Sequence, residues 1–204
     1  MRNLLKRFRA DQSGFAAEFA LVVPLLLIFL LTTFEVGMYA WRINQAEKAT
    51  QWGARFAAVT DPVATEIATA SYVNQVINGT LVEQGDRIPP DALGKITCTN
   101  TACTCSTAPC PGTTFNSTAF TNIANRMRLV VPTLTNANVQ VEYAGSGLGY
   151  AGDPNGPDLA PIITVRLTGM SYIPTVLSPF GTSVSLPDFA YSMSAEDANG
   201  SASN

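Results

Sequence analysis

The sequence predicts an α+β protein in which a long N-terminal transmembrane and amphipathic helix is followed by further helices and then a small antiparallel sheet. Three observations predict this fold. Apolar residues dominate from Phe15 to Phe34, a helical spacing of apolar residues continues to about Val59, and strict alternation appears only in the last third of the chain. We expect a basic leader over residues 1–14, a transmembrane helix over 15–34, an exported domain over 35–198 that continues this helix, and a flexible tail over 199–204.

The first part of the N-terminal helix is long enough to cross a bilayer. Phe19 to Phe34 contains no charged residue. Extended back to Phe15, the apolar helix has about 20 residues and a length of about 30 Å. Because the apolar region of a secretory signal has only about 7–15 residues, a retained anchor is favoured over a cleaved signal peptide. Pro24 lies inside the run, where a membrane helix tolerates proline and bends.

The distribution of charge predicts the orientation of this anchor. The leader holds 4 of the 12 Lys and Arg residues but only 1 of the 15 Asp and Glu residues, which leaves 8 cations against 14 anions in the rest of the chain. Short basic flanks stay in the cytoplasm, so the remaining chain is expected in the periplasm. An acidic exported domain argues against nucleic acid as a partner, because phosphate binding requires clustered Lys and Arg.

Helical spacing predicts three helices before the sheet. The N-terminal helix is expected to stop before Asp61-Pro62, because proline blocks continuation. Its stripe of Ala and Gly residues after position 45 is expected to pack inside the domain, with a seam between subunits as the alternative. A second helix is predicted from Pro62 to Ile77 and a weaker third helix from Ser117 to Val131. Residues 82–94, with Pro89-Pro90, are predicted to be a loop.

Alternating residues predict the strands of the sheet. These strands are expected at residues 138–143, 162–167, 183–186 and 189–195. The intervening stretch from Gly145 to Pro161 is rich in Gly, Pro, Asn and Asp. It is therefore predicted to be a long connection between two antiparallel strands.

All four cysteines lie close together in the sequence, in what is predicted to be one short loop: Cys98, Cys103, Cys105 and Cys110. An even number of cysteines in an exported protein predicts two disulfides, with three pairings open. The alternative is a Cys₄ zinc site. Disulfides are favoured because the spacing lacks the paired C-x₂-C knuckles of zinc folds and because an oxidising compartment competes for the thiols.

The residues of common catalytic sites are missing from the sequence. There is no histidine, which removes the commonest general base and metal ligand. There is also no G-x-S-x-G, Walker A or H-E-x-x-H motif. Asp153 to Asp158 clusters oxygen ligands, but its two prolines and the lack of a following acidic ligand favour a solvated loop over a calcium site. The sequence therefore predicts neither an enzyme nor a bound cofactor or metal.

The N-terminal block resembles the TadE-like family of minor pilins, found in tight-adherence (Flp-type) pilus systems. Two motifs carry the resemblance: the run from Gly14 to Leu27, which reads G-F-A-A-E-F-A-L-V-V-P-L-L-L, and the later Gly53-Ala54-Arg55-Phe56-Ala57-Ala58. The resemblance covers about the first sixty residues. It implies a type IV pilin-like protein of the inner membrane, with other pilin or pseudopilin subunits, a prepilin peptidase and the pilus assembly platform as partners.

The resemblance also implies roles for individual residues. Gly14 and Phe15 would form the processing site, and Glu18 and Phe19 would contact a neighbouring subunit, with Glu18 meeting the amine that processing exposes. The chain departs from the family pattern at one point, since Glu18 is the fourth residue after Gly14 instead of the fifth. Cleavage after Gly14, cleavage after Ser13 and the absence of processing are therefore all open. The four-cysteine loop is also not part of the family pattern.

These observations favour a membrane-anchored minor pilin, or pseudopilin, that acts by helix packing and subunit contacts. Two alternatives belong to different classes. The first is a permanently anchored structural or adhesive envelope protein, which an unprocessed N-terminus would favour. The second is a membrane-tethered ligand-binding module that uses residues 145–161, which stabilisation by calcium would favour.

Overall fold

The computed structural model describes residues 13–154, 156–176 and 181–195. The predicted leader, apart from residues 13 and 14, and the predicted tail over 199–204 lie outside these ranges. Helix α1 covers Ser13–Ala58, with Pro24 inside it, and confirms the single long N-terminal helix. The described chain divides into two compact units. The first unit contains the described residues up to and including Arg42 and those from Tyr172 to Val184. The second unit contains the other described residues.

The second unit is built on an antiparallel sheet. Its strands are β3 (Lys95–Cys98), β4 (Cys103–Thr107), β5 (Val139–Ala144), β6 (Ile162–Leu167) and β9 (Phe189–Ser194), in the spatial order β4-β3-β5-β6-β9. Strands β5 and β6 pair along their full length, from Val139 opposite Leu167 to Ala144 opposite Ile162. The connection 145–161 therefore joins two neighbouring antiparallel strands, as predicted.

Shorter elements complete the fold. Strands β1 (Gln75–Ile77) and β2 (Thr80–Val82) form a two-stranded sheet, and β7 (Ser171–Tyr172) and β8 (Val184–Ser185) form another. Helix α2 covers Ser117–Arg128 and confirms the third predicted helix, although it ends three residues earlier. Short 3₁₀ turns lie at Thr65–Ile67, Pro90–Ala92 and Asn136–Asn138.

The core of the second unit lies between one face of the sheet, α2 and the C-terminal half of α1. Phe120, Ile123 and Met127 of α2 are buried, as are alternate residues of β5 and β6 such as Val141 and Val165. Helix α2 begins at an Asn116 cap whose side chain accepts hydrogen bonds from the backbone N–H groups of residues 118 and 119. This cap satisfies two of the N–H groups that a helix start leaves unpaired.

The predicted helix from Pro62 to Ile77 is wrong. The structure has only a 3₁₀ turn and then β1 in this segment. Residues 67–70 form only local turn bonds, and other backbone N–H groups bond to distant partners: Thr65 N–H donates to Thr114 at 3.1 Å and Tyr72 N–H donates to the Asp158 carboxylate at 2.8 Å. Asn74 also adopts a φ of 63°, which interrupts a right-handed helix. Apolar spacing alone did not reveal these long-range bonds.

The prediction of a cysteine loop needs the same kind of correction. Three of the four cysteines lie on β3 and β4, which form a hairpin at one edge of the main sheet. The run of Thr and Cys residues has no clear alternation of apolar and polar residues, so the sequence does not predict this hairpin. The strand predicted at 183–186 is present but is reduced to Val184–Ser185.

Candidate membrane-anchoring and subunit-contact helix

The first half of α1 presents an almost fully exposed apolar surface. From Phe19 to Phe34 every residue is exposed except Val23, which is half-buried. Among the described residues, this is the one helix that is long and apolar enough to cross a membrane by length and composition. The Thr32 and Thr33 hydroxyls donate to the carbonyl oxygens of Ile28 and Phe29 at 2.7 and 2.8 Å. The two polar side chains of the run are thus satisfied within the helix, as a lipid environment requires.

The residues predicted for processing and subunit contact lie at the start of this surface. Gly14 and Phe15 have helical backbone. Glu18 and Phe19 follow on the same helix, and both are exposed, with 62% of Phe19 accessible. The structure brings these four residues together only as neighbours along one helix. Their predicted roles depend on a partner and stay predictions.

A carboxylate that the sequence analysis did not single out follows the apolar run. Glu35 accepts hydrogen bonds from the backbone N–H groups of Thr175 and Val176 at 2.7 and 3.2 Å, and from the hydroxyl of Tyr172. Three donors from one short segment therefore converge on a single side chain of α1. The only sequence signal was the position of Glu35 as the first charge after the apolar run, and nothing in the sequence linked it to residues more than 130 positions away.

The first unit also contains two contacts of aromatic rings. The rings of Tyr39 and Tyr172 lie 5.8 Å apart between their centroids in a tilted arrangement. The guanidinium carbon of Arg42 lies 5.1 Å from the centroid of the Trp41 ring. Tyr, Trp and Arg side chains with an apolar body and a polar end are typical of the boundary between a bilayer and water.

The C-terminal half of α1 has the opposite character. Ala46, Ala49, Ala54 and Ala57 are buried in the second unit. Gly53 lies so close to its neighbours that an added Cβ would be 2.8 Å from Cγ of Met127 and 3.2 Å from a methyl of Val165. The predicted packing of the small-residue stripe inside the domain is confirmed, because only residues without bulk allow α1 to approach α2 and the sheet this closely.

One ionic cluster lies on the main sheet. Glu142 of β5 contacts Lys95 of β3 at 2.9 Å and Arg166 of β6 at 3.0 Å. Burial alone would raise the pKa of Glu142, but the hydrogen bonds and positive charges of its two partners outweigh burial and lower this pKa below its usual value. The two ion pairs link three adjacent strands, β3, β5 and β6, so we interpret the cluster as structural.

Both predicted disulfides are present, and the structure decides their pairing. Cys98 bonds to Cys103 across the β3–β4 hairpin, and Cys105 bonds to Cys110 after it. The first bridge is buried, whereas Cys105 is exposed and Cys110 is half-buried. The first bridge thus joins the two strands of the hairpin, and the second ties β4 to the chain that follows it; each spans a sequence separation of 5 residues.

The carboxylate of Asp158, in the connection 145–161, is used to hold backbone N–H groups. Asp158 is buried and accepts from the N–H groups of Gly152 and Tyr72 at 3.0 and 2.8 Å. A cavity of about 230 Å³ lies beside this connection, with Tyr143 in its wall. The Tyr143 hydroxyl accepts from Val63 N–H at 2.8 Å. In the described part of the chain, no group of three or more Cys, Asp and Glu side chains is placed to hold a metal ion.

Comparison with known proteins supports the N-terminal resemblance. Residues 15–55 match the family model described as TadE-like protein. The matched region is most of α1 and includes the exposed apolar half as well as most of the buried stripe. Neither a curated protein nor a solved structure matches the chain.

Proposed function

We propose that this chain, whose residues 15–55 match the TadE-like family, is a membrane-anchored minor pilin, or pseudopilin, that acts in assembly of a tight-adherence (Flp-type) pilus. The observation that carries the proposal is the division of α1 within the matched region. An exposed apolar half of bilayer length leads directly into a half whose small residues are buried in a folded unit. A membrane location and contacts with pilin-like subunits fit this arrangement.

The proposed mechanism is an exchange of packing partners. In the resting protein the apolar half of α1 lies in the inner membrane, with the leader in the cytoplasm and the second unit in the periplasm. On assembly, this surface leaves lipid contact and packs against the equivalent helices of neighbouring subunits. Lipid chains are as apolar as leucine, so the hydrophobic effect does not drive such helix association. Van der Waals packing and hydrogen bonds between helices drive it instead. Glu18 would then meet the amine of a neighbour.

Processing of the N-terminus provides the test of this function. We expect a prepilin peptidase to remove the leader between Gly14 and Phe15, and Gly14→Leu to block the cleavage by placing bulk at the cleaved bond. Mass spectrometry of membrane-purified protein from a host with an active peptidase would reveal the mature N-terminal residue. The matched control is Gly37→Leu, a change of the same residue type in the same helix at a site that has open space around it. Intact Met1 in the native protein would contradict the proposal and favour a permanently anchored envelope protein.

A further inference from the structure

We propose that residues 172–176, held on α1 by Glu35, and residues 181–184, which end in the strand β8 paired with β7, form a second membrane contact. Ile173, Val176 and Val184 would enter the boundary between lipid headgroups and acyl chains beside the anchor. This inference rests on the proposed anchoring of α1. It concerns the first unit alone, which contains both Glu35 and this segment.

Depth along α1 places the segment at the membrane surface. If residues 15–34 fill the hydrocarbon core of about 30 Å, Glu35 lies at its outer boundary. The headgroup layer beyond adds about 5–8 Å on each side, which four further residues of helix span as far as Tyr39. Because Thr175, Val176 and Tyr172 donate directly to Glu35, residues 172–176 lie at the same level.

The side chains of the segment suit that level. Ile173 is 63% exposed, Val176 is 36% exposed and Val184 is 44% exposed, although each is aliphatic. Tyr39, Trp41 and Tyr172 lie in the same unit, with aromatic bodies and polar ends of the kind enriched at bilayer interfaces. The exposed aliphatic side chains belong to the same unit as the apolar half of α1, and the bonds to Glu35 set their segment at the level where the apolar run ends, so we take lipid as their occupant.

The role of Glu35 follows from its bonding. A carboxylate at the edge of the hydrocarbon region is costly unless it is hydrogen-bonded. Glu35 takes three donors from residues 172–176, so the carboxylate is satisfied and the segment is held against α1. The backbone N–H groups of Thr175 and Val176 are likewise paired, which allows this non-helical backbone to lie close to lipid.

Tryptophan quenching by brominated lipids tests the inference on the full-length protein. The native Trp41 and Trp52 are replaced by Phe, and single Trp residues are introduced by Ile173→Trp, Leu26→Trp and Leu129→Trp. The proteins are reconstituted in phosphatidylcholine–phosphatidylglycerol vesicles whose lipids are brominated either near the glycerol or near the chain end. Leu26 reports on the anchor, and Leu129, which is 68% exposed, is the control of the second unit matched to Ile173 in exposure.

We expect Ile173→Trp to show blue-shifted emission and to be quenched more by bromine near the glycerol than by bromine near the chain end. Leu26→Trp should show the reverse order of quenching, and Leu129→Trp should show little quenching by either lipid. Adding Glu35→Ala should decrease quenching at position 173 without changing it at position 26, and Glu35→Gln, which keeps one acceptor oxygen, should give an intermediate loss.

Quenching at position 26 but not at position 173 would overturn this inference and leave the anchor intact. Absence of quenching at position 26 would overturn both. Equal quenching at positions 129 and 173 would also overturn the inference, in favour of general adsorption of the protein to the vesicle. Quenching at position 173 that is lost as the protein-to-lipid ratio rises would overturn it in favour of contact with a second copy of the chain.

Discussion

Glu18 is a lone carboxylate at the start of an apolar helix surface, and it is exposed in the structure. A charge near a bilayer must face an interface, water or a neighbour. Opposite charges at 4 Å gain about 4 kcal/mol at an effective dielectric of about 20, and this gain exists only when a neighbour's amine is in register. We therefore expect Glu18→Gln to leave insertion and folding unchanged and to decrease the number of surface pili and the co-purification of partner subunits. Glu47→Gln, an exposed change on the same helix, is the control. Unchanged pili in the Glu18→Gln strain would exclude an assembly role for this residue.

Glu142 makes the stability of the second unit depend on pH. Burial raises its pKa, but Lys95 and Arg166 lower it by more, so the folded-state pKa lies below the usual value of about 4.3. The stabilisation is therefore complete above the unfolded pKa and is lost as the pH falls through the folded pKa. We expect Glu142→Gln to lower the melting temperature at pH 7 and to melt closer to wild type as the pH falls below about 4. Thermal unfolding in detergent measures this, with the exposed Glu83→Gln as control. A difference that stays constant with pH would show that the carboxylate charge is not the cause.

At the scale of elements, the close approach of α1 to α2 depends on Gly53. A side chain at position 53 would collide with Met127 and Val165, both fully buried. We expect Gly53→Val to destabilise the second unit by about 1–3 kcal/mol, which is typical of overpacking. Gly37→Val is the control, because it places the same β-branched residue in the same helix where nothing lies within 4 Å. Comparing the two melting temperatures isolates packing from helix propensity, and equal losses would contradict the packing argument.

The two bridges of the cysteine hairpin differ in access. Cys98 and Cys103 are buried, whereas Cys105 is exposed. Thiol–disulfide exchange requires access of the attacking thiolate to sulfur, so we expect graded reduction to open Cys105–Cys110 before Cys98–Cys103. Alkylation after each step, followed by peptide mass spectrometry, gives the order of labelling. The unreduced protein should take up no label. Labelling of Cys98 and Cys103 first would contradict the burial argument.

At the scale of the whole molecule, we expect the apolar half of α1 and the second unit to have separate roles. The core of the second unit includes residues of α1 only from Ala46 onward. We therefore expect a chain of residues 43–204 to leave the membrane fraction and to unfold cooperatively with both disulfides intact. Membrane fractionation and circular dichroism measure these properties, with the full-length chain in detergent as the reference. An unfolded or aggregated fragment would show that residues before 43 are required for folding of the second unit.

Local patterns in the sequence were sufficient for much of this fold. An uninterrupted apolar run has one stable form in lipid, so α1 followed from its composition, and strict alternation predicted β5 and β6 because one face of each strand is buried. The TadE-like match lies in this same part of the chain. The two disulfides followed from the number of cysteines and the expected export, although their pairing did not.

Tertiary structure decided what depends on contacts between distant residues. Pro62 to Ile77 carries apolar residues at helical spacing, yet Thr114 and Asp158 accept its backbone N–H groups and no helix forms. Likewise, Glu35 is an ordinary carboxylate in the sequence, and only folding brings Tyr172, Thr175 and Val176 to it. The sequence by itself determined the long apolar helix, the family resemblance and the alternating strands, because each depends on neighbours along the chain. The hairpin of the cysteines, the Glu142 cluster and the Glu35 segment required the fold, because their hydrogen-bonding partners are set by packing and not by spacing.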